Sequence, residues 1–144
     1  MSNSNKPNVG FWIIAVVALI WNIMGVMSYL GTVYPTEESR AAYTAEQLAL
    51  MDTAPSWLTG VFAVAVFSGA LGCLLLILRR KWAVPIFGIS LLAVLVQVGY
   101  NWFATDSIEV FGTVMGVVMP LFILIVAIFL YFYSKGAVGR GWLK

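Results

Sequence analysis

Residues 57–103 read WLTGVFAVAVFSGALGCLLLILRRKWAVPIFGISLLAVLVQVGYNWF. Two long apolar stretches flank Arg79-Arg80-Lys81, and neither carries a charged side chain. A hydrocarbon core about 30 Å thick needs roughly 20 apolar residues as a helix. Both stretches are long enough. The three-residue basic turn between them leaves room only for an antiparallel hairpin. Outward from this hairpin, Phe11–Leu30 and Ile108–Tyr133 are of the same kind, with Glu109 at the start of the last as the sole charge.

The four runs lack the alternation of membrane β-strands and are about twice as long as such strands. Without water to satisfy backbone groups, they predict helices. The expected fold class is all-α: one integral-membrane four-helix bundle over residues 1–144. Its spans lie near 10–30, 57–78, 83–103 and 108–133, with an outer loop at 31–56.

Composition agrees. The chain is only 10% charged and 62% hydrophobic, with a mean hydropathy of +0.96. A soluble domain carries about 25% charged residues, so the bilayer is the expected solvent. Seven of the eight basic residues (Lys6, Arg79, Arg80, Lys81, Lys135, Arg140 and Lys144) fall on one side of the predicted membrane. The other side holds Arg40 and all the acids: Glu37, Glu38, Glu46, Asp52, Asp106 and Glu109. This bias places both termini in the cytoplasm. The basic residues read as juxtamembrane flanks, those of 135–144 with Trp142 facing anionic headgroups; nucleic acid is not an expected partner. The first run continues to Leu30 with no A-x-A-like site after it, which predicts a retained signal-anchor.

The outer loop holds two helix-start signals. Thr36 precedes Glu37 and Glu38, and Thr44-Ala-Glu-Gln47 fits a capping box before Leu48, Ala49, Leu50 and Met51. One or two short surface helices are expected, either solvated or forming a cap over a cavity. Aromatic belts mark both interfaces: Phe11, Trp12, Trp82, Tyr131 and Tyr133 on one side, Tyr29, Tyr34, Trp57, Tyr100, Trp102 and Phe103 on the other.

Few polar residues lie within the spans. Asn22, Gly25 and Tyr29 share one face of the first span, while Gln97 and Asn101 share one face of the third with Tyr100 beside them. If these faces meet, Asn22, Tyr29, Gln97, Tyr100 and Asn101 form a polar patch in the outer half. Such a patch suits a neutral, hydroxyl-rich solute through paired donors, acceptors and flat rings. Amides across membrane helices also act as interhelical glue, and both readings stand. Ser68-x-x-x-Gly72, Gly69-x-x-x-Cys73 and Gly112-x-x-x-Gly116 permit close helix packing, within a protomer or between protomers. Pro120 removes a backbone donor in mid-span and predicts a kink, with a gating role as the sharper reading.

There is no His and one Cys, Cys73. Neither a metal site nor a Cys/His nucleophile has material, no cofactor is implied, and an enzyme is not expected. No acid lies deep in a span, which argues against a proton-coupled exchanger.

Trp21-Asn22-x-x-Gly25, Pro55-x-Trp57, Gly69-x-x-Gly72-Cys73 and Arg79-Arg80-Lys81-Trp82-Ala83 together resemble a group of small four-span bacterial inner-membrane proteins that carry the automatic label "sugar transporter". The resemblance implies an inner-membrane location and a solute substrate. Four short spans leave little room for a midplane site in one protomer, so transport implies an oligomer. The expected function is a channel or carrier for a small neutral solute such as a sugar. The alternative is a non-transporting interaction or assembly subunit that docks a partner membrane protein.

Overall fold

The computed structural model describes residues 6–105 and 107–144. The chain is all-helical, with no strand among the described residues, and four of its helices are long and apolar enough to cross a membrane. Asn8 opens α1 (Val9–Val33), its carboxamide oxygen accepting from the Phe11 amide at 2.9 Å. The two short helices of the loop follow: α2 (Glu37–Ala41) and α3 (Ala45–Asp52). Thr36 and Thr44 cap them, each in a reciprocal capping box, with Ser39 and Gln47 respectively. Arg40 grips Asp52 with two hydrogen bonds, at 2.8 and 3.2 Å, tying α2 to the end of α3.

The basic hairpin joins α4 (Ser56–Ile77) to α5 (Ala83–Ala104). Arg79 stands in the left-handed region at φ 59, where glycine is the usual residue. The Arg79 amide donates to the Leu76 carbonyl and the Arg80 amide to that of Leu75, so the carbonyls left open at the end of α4 are satisfied.

The fourth apolar run is not one continuous α-helix. α6 (Ser107–Thr113) contains Gly112 at φ 84, ψ 175, and a π-helical turn at Val114–Val118 leads into α7 (Met119–Gly139). The departure from α-geometry expected at Pro120 thus lies upstream of it. Pro120 sits in the first turn of α7, where a missing N–H is best tolerated. Gln47 Nε2 donates to the Val110 carbonyl at 3.3 Å, so the loop that carries α2 and α3 rests on α6. Asp106, read from sequence as an outer acid, lies outside the described residues, as does most of the N-terminal polar segment.

α4 lies between α1 and α5, and α5 packs in turn on α7. The end of the bundle that bears both termini is closed by a core of Phe11, Cys73, Leu76, Phe87, Leu130 and Trp142 with smaller neighbours. Gly141, at φ 78, ends α7 and turns the chain back; the Trp142 amide reaches the Ala137 carbonyl and the Gly141 amide that of Val138. This Schellman turn sends Trp142 and Leu143 into the core. Trp142 therefore does not stand at the headgroup boundary as its sequence neighbours suggest. The tail is held there by the hairpin: the Lys144 amide donates to the Arg79 carbonyl, the Lys81 amide to that of Lys144, and Arg79 Nε to that of Trp142 at 2.9 Å. At the loop end a smaller core of Ala65, Ala93, Val94 and Val98 joins α4, α5 and α7, and α1 takes no part in it.

Candidate functional site: a cavity among four helices

Because α1 leaves the bundle's second core, a cavity of about 350 Å³ remains between α1, α4, α5 and α7. Asn22, Gln97 and Asn101 line it, so the structure brings together the three amides of the predicted patch. Tyr29 and Tyr100 do not line it. The Tyr29 ring packs edge-on against Phe62 and Phe67 of α4, at 5.5 and 5.6 Å between ring centres. Tyr100 meets Trp57 in the same way at 5.2 Å. Both rings fasten helices to α4 and offer the cavity nothing to stack on.

The carboxamide of Asn22 is half committed to the fold. Its NH₂ donates to the Ala18 carbonyl at 2.8 Å and reaches Cys73 Sγ at 3.4 Å. Its Oδ1 stands over Gly69, where a Cβ would lie 2.1 Å away. Ser90 faces the same glycine and donates to the Ala65 carbonyl at 2.7 Å, tying α5 to the middle of α4. Gln97, one helical turn toward the loop end from Val94, has no hydrogen-bond partner for its side chain among the described residues. An amide in an apolar bundle that the protein does not satisfy needs water or a ligand.

The small residues divide by role. Gly69 admits Asn22, and Gly72 admits the Phe87 ring, whose nearest atom would stand 2.7 Å from a Cβ there. Both therefore serve packing within the chain. Ser68 turns its hydroxyl back to the Val64 carbonyl of its own helix. Gly112 faces open space and serves the break in the fourth segment, while the Gly116 carbonyl accepts from the Trp102 indole at 2.7 Å. Pro120 itself lines the cavity.

The sequence does not single out Ser28 or Ser90, and Trp21 enters only through the Trp21-Asn22-x-x-Gly25 motif; all three line the cavity. Trp21 meets Phe122 of α7 edge-on at 5.2 Å. Among the described residues, no charged side chain lines the cavity. Among the described residues, no three His, Cys, Asp or Glu side chains gather to hold a metal ion. The arrangement can accept and donate hydrogen bonds to an uncharged molecule. Set against family models, curated proteins and solved structures, the chain matches none of them.

Proposed function

We propose that this chain spans the bacterial inner membrane with both termini in the cytoplasm and binds a small neutral solute in the four-helix cavity, as a carrier or channel acting as an oligomer. The apolar exterior supports insertion, and the basic hairpin and tail at the termini end support the orientation. One observation carries the solute reading: Gln97 lines the cavity with no hydrogen-bond partner among the described residues. Amides kept only as glue are paired to a neighbouring helix. The volume lies at the small end of the roughly 300–1,000 Å³ range of small-molecule pockets. The assembly-subunit alternative loses two of its candidate docking positions, since Asn22 and Phe87 fill the space over Gly69 and Gly72.

Flux of two labelled neutral solutes, glucose and decyl glucoside, across the membrane of proteoliposomes containing the full chain tests this. For whichever solute crosses, Gln97→Leu is expected to cut flux at least tenfold with its thermal unfolding unchanged, and Asn22→Leu to cut it as well. No flux of either solute above empty liposomes, or flux in both variants equal to that of the parent chain, would sink the carrier reading.

A further inference from the structure

Taking the cavity as a binding site, we infer that its solute is an uncharged amphiphile, with a hydroxyl-bearing head and an alkyl body, that reaches it sideways from the bilayer between α1 and α7. The shape comes first. Lining residues on α5 run from Phe87 to Asn101, about 20 Å at the helical rise. Some 350 Å³ drawn out over that length is a slot suited to an extended chain.

The walls are chemically unequal. Hydrogen-bonding groups come from α1 and α5, namely Asn22, Ser28, Ser90, Gln97 and Asn101, whereas α7 contributes Met119, Ile123, Val126 and Leu130. A free sugar would leave most of its hydroxyls facing that apolar wall, unpaired. An alkyl chain lies against it at no such cost. The head is uncharged because no described side chain of either sign lines the slot to compensate an ion.

The route follows from the packing. α4 joins α1 to α5, and α5 joins α7, but α1 and α7 do not pack closely along their length. They meet through rings, Phe11 on Tyr133 near the termini and Trp21 on Phe122 higher up. The exposed lining residues stand on these two helices: Met24 of α1 is 60% exposed, and Met119 and Ile123 of α7 are 38% exposed. The rim of the slot therefore faces the lipid.

The test uses the full chain in phosphatidylcholine nanodiscs and three photoreactive probes. These are decyl glucoside with a diazirine in its chain, decyl phosphate with the same diazirine, and glucose with the diazirine on a short tether. Decyl glucoside is expected to label Trp21, Met24 and Ile123 at least tenfold more than either other probe. Met24→Trp, which fills the rim without touching an amide, should reduce that labelling at least tenfold, and Gln97→Leu should do so with unfolding unchanged. Equal labelling by tethered glucose overturns the amphiphile and leaves the neutral-solute reading standing. Equal labelling by decyl phosphate overturns the uncharged head. Labelling confined to outward residues such as Phe132, or no labelling by any probe, overturns both readings of the cavity.

Discussion

The indole N–H of Trp102 donates at 2.7 Å to the carbonyl of Gly116, whose ordinary donor four residues on is Pro120, which has none. A side chain of α5 thus bonds a carbonyl that proline leaves without a donor in the π-helical turn ahead of α7, and fastens α5 to the fourth segment in doing so.

Trp102→Phe keeps an aromatic ring and removes the donor. It should cost roughly 1–3 kcal/mol, the penalty of an unsatisfied buried acceptor, read as a lower unfolding midpoint in detergent. In a Pro120→Ala background, where the substituted residue supplies the missing amide, the same change should cost markedly less. Equal costs in the two backgrounds would show that the bond does not replace proline's donor.

Gly72 is a second point of close approach. Gly72→Ala drives a methyl into the Phe87 ring and should destabilise by about 1–3 kcal/mol. Adding Phe87→Leu should recover part of that loss. A harmless Gly72→Ala would mean that α4 and α5 separate more readily than their packing suggests.

The loop that carries α2 and α3 has its own pH dependence. Hydrogen bonding from Arg40 holds the Asp52 carboxyl below its ordinary range; slight desolvation opposes this and the guanidinium charge adds to it. A depressed folded-state pKa makes this contribution complete above about pH 4, the unfolded value, and lost as pH falls through the folded one. Amide exchange across α2 and α3 should therefore hold steady from pH 8 to pH 5, after correction for intrinsic rates, and quicken only on stronger acidification. Asp52→Asn should show the acid behaviour at neutral pH.

Trp142 belongs to the core of the termini end, edge-on to Phe11 at 5.7 Å with the Arg140 guanidinium over its ring at 5.1 Å. Trp142→Ala should cost about 3–5 kcal/mol and should open the hairpin at Arg79 to proteolysis. An unchanged unfolding midpoint would show that the tail only rests on the bundle.

Much of this was legible in the residues. Run lengths give the four long helices, and the caps of α2 and α3 follow from Thr36 and Thr44, because a cap is a local bond between residues three apart. Helical spacing places Gln97 and Asn101 on one face, and Asn22 meets them across the cavity. Other features have no local signature. Nothing in an apolar run separates Gly112, which breaks its helix, from Gly116, which stays within one. The bond of Ser90 to the Ala65 carbonyl depends on how α5 sits against α4. Tyr29 shares the face of Asn22, yet the outer part of α1 leans on α4 and takes its ring to Phe62 and Phe67. Trp142 follows Arg140 in a segment that reads as a solvated basic tail, and only the turn at Gly141 brings it inward.

That turn also sets an order of assembly. Phe11 stands in the first helix, while Trp142 follows the last. The core that shuts the bundle joins these two, so it stays unfinished until every helix between them has been made. A nascent chain stalled before Gly141 lacks the residues that complete it.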